Sequence, residues 1–278
     1  MLQRAPTAVV YCTVDELISN MSRPVSGFFE FLGALEEVSV PCVWVTSRTR
    51  LQIDLAIRKV GQSAPFIAEG GAGAYLPEDY FHLKPSRSTR LGRFTCIPVA
   101  TTQPAAMNAL DQLAGDTNVE VVPLRTLSPR ELSQNTGVPQ REAELFRQRD
   151  FDEFFFFAGA SETEIAEFQA EASRRKLQVR PRGNLWSLAV GASVITCVRE
   201  LSGLYERSLR TRPFNIALAT GEEAAALFSN CNRAIFLKER SHAGPPPTTA
   251  SGPTPLELPL QAPETWERAL EAVLAKRQ

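Results

Sequence analysis

Two hydrophobic periodicities alternate along the chain. Ala8-Val9-Val10-Tyr11-Cys12-Thr13-Val14 is a continuous apolar run of strand length, and residues 24–37 then set Phe28, Phe29, Leu32 and Leu35 at helical spacing. Residues 40–45 make a second strand run. Residues 49–60, with Leu51, Leu55, Ile57 and Val60, make a second helix, and residues 65–68 a third strand. Continuous apolar strands separated by amphipathic helices predict βαβ units in a parallel sheet covered on both faces. Gly70-Gly71-Ala72-Gly73 predicts a turn, with residues 74–77 returning as a hairpin partner.

The middle of the chain follows another pattern. Strands are predicted at 93–99, 118–122 and 152–158, with a closing pair at 178–180 and 185–190. Helices are predicted at 105–113 and 162–176, with short ones from Ser128 and Pro139. The first alternation resumes afterwards, with helices at 193–209 and 222–228 and strands at 214–219 and 233–237. Residues 241–263 hold seven of the twenty prolines and are expected as an extended surface loop, because proline lacks the N–H a sheet interior needs. A last helix from about Pro263 places Trp266, Leu270, Val273 and Leu274 on one face. The expected fold class is α/β: a three-layer core in two parts, 1–84 and 185–278, with an inserted α+β cap at 85–184 hinged near Lys84 and Asn184.

Composition narrows the function classes. The chain has 278 residues, 44% hydrophobic and 22% charged, with 30 basic against 31 acidic residues. Such balance gives no electrostatic reason to expect a nucleic acid or membrane surface as partner. No apolar run reaches the ~18 residues a membrane helix needs. The five cysteines are odd in number, widely spaced and without a C-x-x-C pair, so they are expected as reduced thiols of a cytoplasmic protein. His82 and His242 lie far apart in unlike contexts and support no metal site. Nucleotide-binding glycine signatures are absent.

Three segments, in order, carry a resemblance. They are Val45-Thr46-Ser47-Arg48-Thr49-Arg50, then Pro65-Phe66-Ile67-Ala68-Glu69-Gly70-Gly71-Ala72-Gly73-Ala74-Tyr75-Leu76-Pro77, then Arg149-Asp150-Phe151-Asp152-Glu153-Phe154. Together, with their spacing kept over about residues 8–240, they resemble mannosyl-3-phosphoglycerate phosphatases, a capped branch of the haloacid dehalogenase (HAD) superfamily. That resemblance implies a Rossmannoid core and a phosphoryl-transfer site. An aspartate ending strand one attacks phosphorus, and a second, two residues on, acts as acid and base. A later acidic group helps hold Mg2+, and a Ser/Thr and a lysine neutralise the phosphoryl group.

The chain departs from that pattern where the chemistry lies. The family's D-x-D-x-T-L falls on Cys12-Thr13-Val14-Asp15-Glu16-Leu17, so Cys12 takes the attacking position and Val14 the acid–base position. A register slipped by one would pair Thr13 with Asp15, still without the attacking carboxylate. The lysine falls near Ile195, and the metal-binding segment on Ala219-Thr220-Gly221-Glu222-Glu223-Ala224, where Glu223 keeps one carboxylate. Val14, Thr220 and Ala224 in place of oxygen ligands predict no Mg2+ site. Thr46 keeps the motif-two hydroxyl. It is expected to open the second helix, with Ser47 and Arg48 beside it, as a small anion-binding nest. Glu69, Gly70 and Gly71, with Arg149 and Asp150 from the cap, are the further candidates for a sugar-phosphate pocket; the glycines also suit a tight turn.

Three readings stay open on the sequence. The first is a relative of these phosphatases that has lost Mg2+-dependent hydrolysis and keeps sugar-phosphate, inorganic-anion or partner binding. The second is a divergent phosphatase using Asp15 and Glu223. The third is a protein-interaction module with a filled cleft.

Overall fold

The computed structural model describes residues 8–18, 24–61, 63–221, 224–240, 242, 244–249 and 252–275. The apolar runs of the first half form β1 (Ala8–Thr13), β2 (Cys42–Val45) and β3 (Phe66–Ala68), separated by α1 (Phe28–Glu37) and α2 (Arg50–Val60). β1 is central. It pairs in parallel with β2, with Cys12 opposite Trp44, and with β11 (Phe214–Ala219), with Cys12 opposite Leu218. β12 (Arg233–Lys238) extends the sheet beyond β11.

Alternation along β1 sorts its side chains between two cores. Val10, Cys12 and Val14 join a cluster with Phe28 and Leu32 of α1, Ile53 of α2 and Trp266 of α9 (Thr265–Leu274). Val9 and Tyr11 join the opposite cluster, with Leu201 and Tyr205 of α7 (Val194–Leu209) and Phe228 of α8 (Ala224–Phe228). Trp266 anchors α9: its ring lies 5.4 Å from that of Phe28, and Nε1 donates to the Ser26 carbonyl at 2.7 Å. Leu274, expected on this face, is exposed.

The cap boundaries differ from those expected. β4 (Gly73–Pro77), β5 (Thr89–Leu91) and β6 (Phe94–Pro98) continue the main sheet as antiparallel strands, so residues 85–98 belong to the core. Among the described residues this sheet runs β13-β12-β11-β1-β2-β3-β4-β6-β5. Conversely β10 (Leu185–Val190), expected in the core, lies in the cap sheet. That sheet runs β7 (Val121–Pro123), β8 (Glu153–Phe157), β10, β9 (Leu177–Arg182). The chain crosses into the cap after Ala100, whose amide donates to Ala72 of the core, and returns at Ser193, whose amide donates to Gly71. The crossings are therefore displaced from Lys84 and Asn184, because the apolar run at 94–98 pairs with Tyr75 and Ala74 rather than with cap strands.

The cap buries one face of its sheet under α3 (Gln103–Thr117) and α6 (Glu162–Arg174), through Leu110, Phe155, Phe168 and Leu188. Its other face carries α4 (Pro129–Thr136) and α5 (Gln140–Arg147). Within the proline-rich segment, Leu256–Pro259 forms β13, an edge strand parallel to β12. Edge positions tolerate proline because one row of N–H groups has no ladder partner to lose.

Candidate functional site

A cavity of about 810 Å3 lies between the carboxyl ends of the core strands and the cap. Thr13, Asp15, Glu16, Thr46, Ser47, Arg48, Gly70, Val194, Thr220 and Gly221 line it from the core, and Glu142, Phe146, Phe154, Arg180, Arg182 and Leu185 from the cap.

The register of β1 decides what reaches this cavity. Cys12 and Val14 are fully buried in the core, so neither presents a group to the cleft. Burial pushes the Cys12 thiol well above its ordinary range, with Cys42 beside it adding to the shift, which leaves no reactive thiolate there. The residues facing the cleft are Thr13 and Asp15, as period two requires if Cys12 packs inward. Cys12 and Val14 thus stay out of the cavity, and the side chains of the alternative register, Thr13 and Asp15, line it.

Thr13 meets the motif-four segment. Its hydroxyl accepts from the Thr220 amide at 2.9 Å and lies 3.2 Å from the Thr220 hydroxyl. The Thr220 hydroxyl donates to Glu16 at 2.5 Å. Burial, partly offset by that bond, raises the Glu16 carboxyl above its usual value. This floor is the place to test for Mg2+, a hard cation that favours carboxylate and water oxygens. The described residues offer Glu16 and two neutral hydroxyls here, with the neighbouring Asp15 carboxylate turned to Thr46 and Ser47, and no group of three or more acidic, cysteine or histidine side chains. That donor set does not fit Mg2+. Glu223 lies outside the described residues. His82 is exposed, and His242 packs edgewise on Phe236.

Thr46, Ser47 and Arg48 lie together after β2, and their arrangement differs from the expected nest in two respects. The first concerns the helix. Thr46 does not open it; the N-cap is Thr49, which accepts from the Gln52 amide at 3.2 Å while the Gln52 side chain accepts from the Thr49 amide at 3.1 Å. Residues 46–48 instead form a loop laced to 67–70, Thr46 donating its amide to Ile67 and accepting from Gly70.

The second concerns vacancy. The nest is filled by the chain's own Asp15. Its carboxylate accepts from the Thr46 hydroxyl, from the Ser47 amide at 2.8 Å and from the Ser47 hydroxyl at 2.6 Å. Arg48 Nε lies 3.6 Å away, and Arg48 Nη2 donates to the Ile18 carbonyl at 2.6 Å, fixing the guanidinium against the same turn. A side-chain carboxylate sits where the resemblance places a phosphoryl group.

The remaining sequence candidates divide between cavity and hinge. Gly70 lines the cavity, and a Cβ there would fall 2.8 Å from Arg182 Nη2, so the cap arginine reaches down over this glycine. Gly71 serves packing: with φ +92°, a Cβ would fall 2.3 Å from the Val194 nitrogen. Ile195 is absent from the lining; Val194, one residue earlier, occupies the cavity at the start of α7. The cavity wall at the start of α7 is thus apolar.

Glu69 and Arg149 are buried, and Asp150 half-buried, in the hinge instead of lining the cavity. Glu69 accepts from the amides of Asp150, Phe151 and Asp152 at 2.8, 2.9 and 3.1 Å. Burial, reinforced by the Asp152 carboxylate, raises it to about 8. Asp150 accepts from Arg50 Nε and from the Tyr75 hydroxyl, both at 2.9 Å. Arg149 pairs with Asp152, donates to the Ser47 carbonyl at 2.7 Å and lies 3.8 Å from the Phe154 ring centroid. These groups clamp the cap to the core from behind the cavity. Expected as ligand contacts, Glu69 instead holds the amides of the loop before β8, Arg149 the Ser47 carbonyl, and Asp150 the side chains of Arg50 and Tyr75.

Glu16, Glu142, Phe146, Arg180 and Arg182 were not singled out by sequence reasoning. Arg180 and Arg182 carry the one available signal: residues two apart on a strand share a face.

The strand order, the cap inserted between β6 and α7, and the cleft at the strand ends decide the architecture. The chain has the haloacid dehalogenase fold. Among solved structures it is similar to a phosphatase of that superfamily from Bacteroides thetaiotaomicron, with a TM-score of 0.61, 15% identity and 98% of each chain covered. It is also similar to a haloacid dehalogenase-like hydrolase from B. subtilis, at 0.53 and 14%, covering 82% of this chain and 88% of that one. In sequence it is similar to the glucosyl-3-phosphoglycerate/mannosyl-3-phosphoglycerate phosphatase of Methanococcoides burtonii. They are 26% identical over 124 residues, 45% of this chain and 46% of that protein, so the match spans less than half of that relative. The protein of the same name from Persephonella marina is 22% identical over 216 residues, 76% of this chain and 77% of the relative. No family model matches the chain. Among the described residues of this haloacid dehalogenase-fold protein, no helix is long and apolar enough to cross a membrane.

Proposed function

We propose that this protein is a non-hydrolysing relative of the mannosyl-3-phosphoglycerate phosphatases that binds a small anionic ligand between core and cap. The observation that carries the reading is the Thr13–Thr220 hydroxyl pair at the cavity floor. Phosphoryl transfer through an aspartyl intermediate needs a carboxylate at the end of β1, and a hydroxyl in the same place forms no acyl phosphate. Neutralisation of the phosphoryl group is lost as well, with an apolar wall at the start of α7 and a donor set that does not fit Mg2+. Removing one member of such a cooperating set costs several orders of magnitude in rate. Asp15 is held by Thr46 and Ser47, which argues against its use as a replacement nucleophile. The cavity stays open, with Arg48, Arg180 and Arg182 on its walls, which favours a ligand over a cleft surrendered to packing.

The test has two arms on the full chain. Phosphate release from mannosyl-3-phosphoglycerate with Mg2+ is expected to stay at the blank, while hexyl phosphate is expected to bind saturably by calorimetry. Mg2+-dependent turnover overturns the loss of hydrolysis, and absence of binding overturns the ligand role.

A further inference from the structure

Among the described residues, three helices open on a capping box, in which a hydroxyl at the N-cap and the side chain three residues on satisfy each other's backbone amide. In α4 and α6 that third residue is a glutamate, Glu131 or Glu164, and it is exposed. In α2 it is Gln52, which is 4% exposed and lines the cleft cavity.

The change of residue type has a chemical consequence. A capping box uses one terminal atom of its third side chain, here Gln52 Oε1, which accepts from the Thr49 amide at 3.1 Å. A glutamate would leave a second carboxylate oxygen over, whereas a glutamine leaves an NH2 with two protons to donate. Gln52 Nε2 makes no hydrogen bond to a described residue, and it is not one of the polar atoms sealed off without a partner in the interior. With the rest of the residue buried, that donor opens on the cavity.

Its surroundings suit an oxyanion. Gln52 stands in the first turn of an 11-residue helix, where unpaired amides give partial positive charge. Arg48 and Gln52, either side of the N-cap, both line the cavity, so this turn borders it. The nest at Thr46–Arg48 offers no alternative, because its donors hold Asp15, and Arg180 and Arg182 have partners of their own. Asp15, Glu16 and Glu142 already bring carboxyl groups to the cavity wall, and a glutamate at 52 would add a fourth.

We propose that Gln52 is a specificity-determining residue of the cavity: its Nε2 donates to the oxyanion of the bound ligand, and the carboxamide, standing where the other two boxes carry a carboxylate, admits an anion. This assignment rests on the ligand-binding reading above and names the residue that selects the charge of its ligand.

Hexyl phosphate titrated into the full chain tests it, its tail suited to the apolar wall of Val138, Phe146, Phe154 and Leu185. The side-chain amide resonances of Gln52 are expected to shift saturably by NMR, with the constant that calorimetry gives. Gln52→Met removes the donor without adding charge and is expected to weaken binding about tenfold, the scale of one hydrogen bond to a charged group. Gln52→Glu keeps the capping box and is expected to weaken binding further still. Gln52 resonances that stay in place as the site fills, or undiminished binding by either folded variant, overturn the assignment and leave the anion-binding reading standing. Failure of hexyl phosphate to bind the unmodified chain overturns both. Circular dichroism shows whether a loss in a variant reflects misfolding, and the Gln52 resonances of the unmodified chain decide the matter where it does.

Discussion

The hydroxyls of Thr13 and Thr220 face each other at 3.2 Å across the carboxyl ends of β1 and β11. Two neutral groups there leave Mg2+ without its anionic partners. Calorimetric titration of the unmodified chain with Mg2+ is therefore expected to give no saturable heat at millimolar concentration. The double variant Thr13→Asp, Thr220→Asp restores two facing carboxylates and is expected to bind Mg2+ with a millimolar or tighter constant. Cys12→Asp, placed one residue earlier, is expected to unfold the chain or destabilise it by more than about 3 kcal/mol, because it buries an unpaired charge among Trp44, Ile216 and Leu218.

The clamp behind the cavity makes a second prediction. Asp150 satisfies both Arg50 and the Tyr75 hydroxyl, and Arg50 and Asp150 are only 14% and 15% exposed. Asp150→Ala leaves a largely buried guanidinium and a buried hydroxyl without this carboxylate. A loss of about 3 kcal/mol is expected in urea unfolding. The double variant Arg50→Met, Asp150→Ala is expected to recover part of it, since the stranded charge is gone.

Glu69 gives the pH dependence a sign. Its folded value, about 8, lies above the ordinary 4.5, so the folded chain holds a proton that the unfolded chain has released between those values. Stability from this group is present in full below about pH 4.5 and is lost as pH rises through about 8, at no more than about 1.4 kcal/mol per pH unit. Urea midpoints between about pH 5 and pH 8 are expected to fall for the unmodified chain, and the fall is expected to be shallower in Glu69→Gln.

The architecture was legible because the central strands β1, β2 and β3 read as unbroken apolar runs, which only a sheet covered on both faces requires. The cap boundary was not, because Phe94–Pro98 is as apolar as a cap strand and its partner, β4, lies seventeen or more residues earlier. The one-residue shift at Cys12 has a similar origin. An apolar run has no polar alternation to show which side chains face the cleft, so Thr13 and Cys12 are distinguished only by pairing and packing. The nest at Thr46–Arg48 was visible as a cluster of hydroxyls and arginine. Its occupant was not, because Asp15 reaches it across the β1–β2 pair from 31 residues away in sequence.

Occupation of that nest by Asp15, beside the Thr13–Thr220 pair, is what sets this cleft apart from an open phosphoryl site. The most direct measurement follows the Ser47 and Arg48 amide shifts by NMR while inorganic phosphate is titrated into the unmodified chain and into Asp15→Ala. The account predicts no saturable shift at Ser47 in the unmodified chain. In Asp15→Ala, where the Ser47 amide and hydroxyl lose their internal acceptor, it predicts saturation with a dissociation constant of order millimolar, about −4 kcal/mol. Equal saturation at Ser47 in both proteins, or none in the variant, would contradict it.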